Sequence, residues 1–327
     1  MKTLNFHIGS GRCGSTLIQA LFNDAGIHQV FEKHALNYNS KVYQDTGMVA
    51  HDDTFIEENW RPIKEKFFDP MHDMAFDGHF ITQENLLGMR SGKDQKNICD
   101  VTCQKIAYLA DGFEPKIIII VRRQDTYIES LYNQSLKRYE TRDFQTFVDE
   151  FPLQNWHWYD NIQIFCNFFG RDNVCVVPFE QKVYSNSGRT GFLDAVLMAS
   201  GVTTRLAFKD LPLLNPSLAP RTFEVMRVAN QHLSKNEAHA LADWFEAHIS
   251  KDPNDPYTLM NDELRCKIVN TYKETNAKLC KEYFPDYPLA EAYFTGVDLD
   301  LSRCLFIFSH NNHEKVNPIL RDRMYNI

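Results

Sequence analysis

The chain lacks an apolar stretch long enough to cross a bilayer, and it lacks an excess of positive charge. Its longest aliphatic run, Ile117–Val121, has the length of a buried strand, whereas a transmembrane helix needs roughly 20 apolar residues. The 35 lysines and arginines are outnumbered by 43 aspartates and glutamates, which gives a formal net charge of -8. We therefore expect no transmembrane segment and no nucleic-acid partner, because general binders of phosphate-rich surfaces need a broad cationic field. Any anion site must be local.

Dense cysteine spacing and a signal peptide are missing as well. The eight cysteines are scattered over 327 residues, which predicts reduced thiols and a cytoplasmic protein rather than a disulfide scaffold. Two short pairs, Cys99 with Cys103 and His310 with His313, lack a second pair of ligands, so we expect no metal site. The N-terminal residues have no apolar signal core, so we expect the mature chain to begin at Met1.

Strand-like and helix-like segments alternate along the chain. Alternating apolar residues predict a first strand at 4–8, and aliphatic runs predict further strands at 116–121 and 174–177, with helical spacing between them. Such alternation is typical of an α/β protein whose central, mainly parallel sheet is flanked by helices. We predict one such domain over 1–327, with a helical C-terminal portion from about residue 218.

The first predicted strand leads into a glycine-rich loop that precedes a predicted helix. Small residues let backbone amides turn inward, and a helix N-terminus offers unsatisfied donors and a favourable dipole to an anion. In nucleotide triphosphatases the second glycine of such a loop is followed by a lysine. Gly9 and Gly14 keep that spacing, but Ser15 stands in the lysine's place, and the cation is Arg12 instead. The loop therefore predicts a phosphate site without the lysine of ATP-hydrolysing proteins.

A second group of polar residues follows the central predicted strand. Arg122 comes directly after the strand, Ser130 lies eight positions later on the next helix, and Tyr132 follows two residues on. Together with the loop segment 12–16, Arg-Cys-Gly-Ser-Thr, this spacing resembles the sulfotransferases that use 3′-phosphoadenosine 5′-phosphosulfate (PAPS). The resemblance implies a sulfotransferase fold of the phosphate-loop NTPase type, in which the loop grips the 5′-phosphosulfate while Arg122 and Ser130 bind the 3′-phosphate.

The resemblance covers residues 4 to about 285 and implies a set of donor-binding residues with PAPS as co-substrate. These residues are Gly11, Arg12, Cys13, Gly14, Ser15, Thr16, Arg122 and Ser130. Arg12 is also a catalytic candidate, because a guanidinium beside the bridging oxygen offsets the charge that builds on the departing phosphate. Where many members of the family carry proline, this chain has Gln124. Glu180, at the end of a late strand, resembles a family position that we interpret as bracing the sheet.

The catalytic base is predicted from position alone, and three candidates stay open. Glu32 follows the first helix by a short turn, where several relatives carry a catalytic glutamate. Glu84 lies in a segment that resembles Ser-Ser-Glu of some bacterial members, and His34 is the third candidate. A base within hydrogen-bond reach takes the acceptor's proton as attack proceeds. Charged residues in loops are as often surface salt-bridge partners as bases.

The predicted function is transfer of a sulfuryl group from PAPS to a hydroxyl or amine of an acceptor. By resemblance to bacterial members, the acceptor is a carbohydrate or a lipid-linked molecule. Two other classes fit parts of the pattern. A nucleotide kinase or other phosphate-loop NTPase would use ATP despite Ser15, and a non-catalytic protein that binds phosphoadenosine nucleotides would need Arg122 and Ser130 but not Arg12 or Glu32.

Overall fold

The computed structural model describes residues 1–22, 36–38, 54–83, 86, 95–180, 183–184, 188–203, 218–249 and 258–296. Residues Met1–Gly296 form one compact unit. Among the described residues, no helix combines the length and the apolar character needed to cross a membrane. The predicted single domain over 1–327 stays a prediction, because residues beyond 296 lie outside the described ranges.

Five strands form the centre of this unit. They are β1 (Thr3–His7), β2 (Leu36–Tyr38), β3 (Gly78–Thr82), β4 (Glu114–Val121) and β5 (Val174–Pro178). Their order in the sheet is β2-β3-β1-β4-β5, and every neighbouring pair is parallel. Thr3 of β1 is in register with Gly78 on one side and with Glu114 on the other. The predicted α/β class with a parallel sheet is confirmed.

Helices connect and follow the strands. Among the described residues, the first six helices are α1 (Ser15–Phe22), α2 (Glu57–Ile63), α3 (Gln95–Leu109), α4 (Gln124–Lys137), α5 (Phe144–Asp149) and α6 (Trp158–Phe169). The later helices there are α7 (Gly188–Ala199), α8 (Phe223–His232), α9 (Lys235–His248), α10 (Asp262–Tyr283) and α11 (Ala290–Thr295). The chain continues from α2 through a π-helical turn, Lys64–Phe68, and a 3-10 turn, Asp69–His72. Other described 3-10 turns are Leu153–Asn155, Arg171–Asn173 and Pro220–Thr222.

The central strands are apolar because both faces of the sheet are covered. The side chains of residues 117–121 in β4 are at most 1% exposed. Continuous aliphatic strands are typical of parallel sheets between two helical layers, since neither face meets water. Because the strands are buried and fixed, the residues directly after β1 and β4 start from fixed positions.

One predicted helix cap is wrong. The sequence pattern places Asp125 at the start of the helix after β4, as a residue whose side chain caps free backbone amides. In the structure α4 already begins at Gln124, after an extended Arg123 that makes no side-chain cap. The Asp125 carboxylate instead accepts two bonds from the Arg123 guanidinium, at 2.6 and 2.8 Å, and contacts Arg265 of α10. The Asp125 carboxylate is bonded to two arginines, so it does not accept hydrogen bonds from the free amides at the start of the helix.

Candidate active site

The carboxyl ends of β1 and β4 lie side by side, and the chain leaves them in opposite directions. The next two strands after β1, β2 and β3, lie on one side of it, whereas β4 and then β5 lie on the other. A parallel sheet opens a crevice where neighbouring strand ends diverge in this way, and ligands bind there. The glycine-rich loop follows β1 and Arg122 follows β4, so both predicted donor-binding segments meet at this crevice.

The loop at 9–14 depends on two residues in left-handed backbone conformations. Gly14 has φ +85°, and a Cβ at this position would lie 2.6 Å from Cε2 of Phe179. Its carbonyl accepts the amide of Ile18 at 3.0 Å, which starts α1. Arg12 has φ 69°, a conformation that costs about 1–3 kcal/mol for a non-glycine residue and is concentrated at functional sites. No atom of the described ranges lies within 4 Å of a Cβ built on Gly11, so that side of the loop is open to a ligand.

Arg12, Ser130 and Arg122 come together although they are far apart in the sequence. Nε of Arg12 donates to Oγ of Ser130 at 3.0 Å. Nη1 of Arg122 donates to the backbone carbonyl oxygen of Arg12 at 3.2 Å. These two contacts join the loop after β1 to both the end of β4 and the helix α4. The side chains of both arginines therefore take part in joining the loop to the segment that follows β4.

Arg122 is held on several sides by neighbouring residues. Its Nε donates to Oγ1 of Thr126 at 3.1 Å, and its Nε lies 3.7 Å from Oε1 of Glu180. The guanidinium carbon lies 5.7 Å from the centre of the Phe179 ring, within cation–π range. The carbonyl of Arg122 accepts Nε1 of Trp158 at 2.8 Å. The Arg122 side chain is 22% exposed.

Glu180 joins the ends of β4 and β5. Oε1 of Glu180 accepts the backbone amide of Arg123 at 3.3 Å and the hydroxyl of Thr126 at 2.9 Å. Tyr293 of α11 contacts the same carboxylate, and burial, followed by the charge of Glu180, raises the pKa of the Tyr293 phenol. The sheet-bracing role predicted for Glu180 therefore has a direct counterpart in these bonds. The contact with Arg122 was not predicted.

A buried histidine lies directly below the loop. Nδ1 of His7, the last residue of β1, is 2.7 Å from Oγ1 of Thr82 at the end of β3. Nε2 of His7 has no hydrogen-bond partner within the described ranges, and it would lie 2.9 Å from a Cβ at Gly9. Complete burial lowers the pKa of His7 to about 3, so the ring is neutral at physiological pH. Its closeness explains why the first loop position is glycine.

The remaining predicted residues divide into two groups. Cys13 and Ser15 are buried at the start of α1, while Thr16 is exposed on its first turn. The base candidates Glu32, Glu84 and His34 lie outside the described residues.

Thr126 is the residue that sequence reasoning missed. A signal for it exists, because Thr126 lies four residues after Arg122, early in the predicted helix, and carries a hydroxyl.

The described part of the chain contains no group of three or more His, Cys, Asp or Glu residues suited to holding a metal ion. A surface depression of about 460 Å³ is lined by residues of α10 and the segment before α11, among them Lys278, Lys281, Phe284 and Tyr287. None of the loop residues lines it.

Comparison with known proteins identifies few relatives. No protein-family model matches the chain. An uncharacterized protein of Archaeoglobus fulgidus is 26% identical over 171 residues. The aligned segment covers 52% of this chain and 46% of that protein, so the chain spans about half the length of the curated relative it matches.

Among solved structures, a sulfotransferase from Alicyclobacillus acidocaldarius superposes with a TM-score of 0.43 at 13% identity. The superposition covers 91% of this chain and 98% of that one. A TM-score below 0.5 does not establish a common fold. The interpretation of the crevice therefore rests on its own residues and their geometry.

Proposed function

We propose that this protein is a sulfotransferase that moves a sulfuryl group from PAPS to a hydroxyl or amine of an acceptor. The observation that carries the proposal is the meeting of Arg12, Ser130 and Arg122 through bonds of 3.0 and 3.2 Å at the end of the sheet. PAPS carries phosphate on both the 3′ and the 5′ oxygen of one ribose. Two guanidinium groups, one bonded to the Ser130 hydroxyl and the other to the Arg12 carbonyl, suit a ligand with two neighbouring phosphates.

In this proposal the loop and the two arginines divide the donor between them. The backbone amides of Gly11, Cys13, Gly14, Ser15 and Thr16 would bind the 5′-phosphosulfate, as helix N-termini bind anions generally. Arg122 and Ser130 would bind the 3′-phosphate. The replacement of the NTPase lysine by Ser15 supports a donor other than an ATP–magnesium complex, because that lysine normally contacts the β and γ phosphates.

The chemistry follows from the charge that has to be balanced. The acceptor oxygen or nitrogen attacks sulfur, the bond from sulfur to the bridging oxygen breaks, and adenosine 3′,5′-bisphosphate leaves with the electron pair. Arg12 would stabilise the negative charge on that leaving phosphate. The acceptor proton would pass to a base, for which Glu32, Glu84 and His34 are the candidates. A carbohydrate or lipid-linked acceptor and a cytoplasmic location belong to the same proposal.

Thermal unfolding with nucleotides tests the donor. A ligand that binds only the folded state raises the melting temperature, and a hundredfold excess over Kd adds about 2.7 kcal/mol of stability. We expect adenosine 3′,5′-bisphosphate to stabilise the protein and ATP with Mg²⁺ to do so far less. Stabilisation by ATP with Mg²⁺ alone would favour an NTPase and contradict the proposal.

A transfer assay tests catalysis. With ³⁵S-labelled PAPS and extracts rich in glycans and glycolipids, we expect labelled products from the wild-type protein. Arg12→Ala should lose transfer by more than its loss of bisphosphate affinity, because Arg12 acts on the departing group. Bisphosphate binding without any transfer, with every acceptor class supplied, would instead support a non-catalytic nucleotide-binding protein.

A further inference from the structure

Arg122 differs from an ordinary surface arginine in how its Nε is held. The Nε donates to the hydroxyl of Thr126 at 3.1 Å, and the same hydroxyl lies 2.9 Å from Oε1 of Glu180. A threonine hydroxyl both accepts and donates, so it can take the Arg122 hydrogen and give its own to the carboxylate. The direct Nε to Oε1 distance of 3.7 Å is too long for a hydrogen bond. The hydroxyl is therefore the link between the two charged groups.

We propose that Thr126 and Glu180 form a positioning pair that orients Arg122 toward the phosphate loop. The inference rests on the proposed function in one respect, namely that the anion bound by Arg122 is the donor nucleotide. Neither member of the pair needs to contact that nucleotide. Both act through the guanidinium.

The arrangement has a physical advantage over a direct salt bridge. A carboxylate paired with both outer nitrogens of an arginine uses the edge that would otherwise bind a phosphate. Here the carboxylate is behind the Nε, and Nη1 donates to the carbonyl of Arg12 at 3.2 Å. The charge of Glu180 favours one orientation of the Arg122 side chain. In that orientation Nη1 of Arg122 stays directed at the loop. Ordering a long arginine side chain in advance lowers the entropy cost of binding.

Glu180 is itself fixed, which makes it a suitable anchor. Its side chain is 11% exposed, and its Oε1 also accepts the amide of Arg123 at 3.3 Å. Tyr293, in the C-terminal helix α11, also contacts this carboxylate. Thr126 is fixed by its place in the first turn of α4. Its hydroxyl has a single hydrogen and lies 2.9 Å from both Oε1 of Glu180 and the carbonyl oxygen of Arg123, and the charged carboxylate is the stronger of these two acceptors. The pair is thus held by β4, β5, α4 and α11.

A set of Thr126 variants tests the inference by calorimetric titration with adenosine 3′,5′-bisphosphate. Thr126→Val keeps the volume but removes the hydroxyl, and we expect about tenfold weaker binding, because a hydrogen bond to a charged group is lost. Thr126→Ser keeps the hydroxyl and should restore the wild-type affinity. Thr126→Ala is measured in parallel, because it only shortens the side chain and tests whether packing of the valine disturbs the fold.

A double-mutant cycle separates positioning from a general structural effect. Because the pair acts through Arg122, Thr126→Val should not weaken binding further in an Arg122→Ala background. Equal losses in both backgrounds, or wild-type affinity of Thr126→Val, would overturn the inference.

A measurement without ligand distinguishes failure of this inference from failure of the proposed function. The Nε–H resonance of Arg122, assigned by its disappearance in Arg122→Ala, should exchange slowly with water in the wild type and in Thr126→Ser. It should exchange faster in Thr126→Val and Thr126→Ala. If slow exchange is lost in those two variants but the protein does not bind the bisphosphate, the positioning pair is supported and the proposed donor is rejected. Unchanged exchange in all variants would reject the pair, whatever the nucleotide does.

Discussion

Gln124 and Asn276 exchange two amide hydrogen bonds in the buried space between α4 and α10. Nε2 of Gln124 donates to Oδ1 of Asn276 at 3.1 Å, and Nδ2 of Asn276 donates to Oε1 of Gln124 at 3.0 Å. The remaining donors go to the backbone carbonyls of Trp156 and Phe294, at 3.1 and 2.9 Å. These bonds attach α4, the helix after Arg122, to the C-terminal helices α10 and α11.

Gln124→Ala should destabilise the protein by about 1–3 kcal/mol, because it leaves the buried amide of Asn276 with an unpaired oxygen. The free energy of unfolding from urea titration measures the effect. Asn276→Ala should cost a similar amount. The double variant should cost less than the sum of the two, since the second change removes the group that the first left unpaired. Strict additivity would contradict the paired arrangement.

Arg122→Ala should weaken binding of adenosine 3′,5′-bisphosphate by about 10- to 100-fold, the loss expected for charged hydrogen bonds. Arg122→Lys should recover only part of this affinity. An ammonium cannot bond to Thr126 and to a phosphate at the same time with the fixed geometry of a guanidinium. Calorimetric titration gives the three dissociation constants.

Arg61→Ala is the matched control for the loss of a positive charge. Arg61 pairs with Glu57 on the exposed face of α2, with a side chain that is 51% exposed. Its removal should leave the bisphosphate affinity unchanged. An affinity that falls equally in the Arg61 and Arg122 variants would mean that only the overall charge matters, and the crevice would lose its assignment.

Gly14→Ala should destabilise the protein by about 2 kcal/mol or more, because the new Cβ meets both strain and a steric conflict. The backbone at this position has φ +85°, and the Cβ would lie 2.6 Å from Phe179 and 3.0 Å from Phe192. Gly11→Ala is the control in the same loop, since the described part of the chain has no atom within 4 Å of its Cβ. Urea unfolding should show a clearly larger loss for Gly14→Ala, and equal losses would contradict the loop geometry.

The features that sequence could predict are local. The alternation in β1, the aliphatic run in β4 and the glycine loop each lie within about ten residues, so period and turn chemistry are enough. β4 begins at Glu114, two residues before the predicted strand, because pairing with β1 extends to its polar end. Arg122 and Ser130 were predicted from a resemblance in motif spacing, and their binding role stays a prediction.

The features that sequence could not predict depend on contacts between distant segments. Nothing near Asp125 indicates that Arg265 reaches it across 140 positions, and that contact is why the expected helix cap is wrong. The link from Thr126 to Glu180 spans 54 positions and depends on the order of β4 and β5 in the sheet. That order follows from packing of the whole chain. Local pattern therefore finds the arginine and tertiary structure supplies what orients it.

His7 makes stability depend on pH in a defined direction. In the folded protein burial lowers the pKa of His7 to about 3, whereas an imidazole in the unfolded chain has the ordinary pKa of about 6.5. Between these two values the unfolded chain binds a proton that the folded chain does not. The contribution of His7 to the free energy of unfolding is therefore fully present above about pH 6.5, and it is lost as the pH falls toward 3.

The contribution of His7 is measured as a difference between two proteins, because carboxylates elsewhere also affect acid stability. His7→Gln keeps an amide that reaches Thr82 but cannot be protonated. Over pH 4 to 6.5 the wild type should lose about 1.4 kcal/mol more per pH unit than His7→Gln in urea titrations. His239→Gln, at an exposed position of α9, should follow the wild-type curve. Parallel curves for wild type and His7→Gln would mean that the folded protein protonates His7 readily. The imidazole would then not be sealed below the loop, and the close approach to Gly9 that requires glycine there would be wrong.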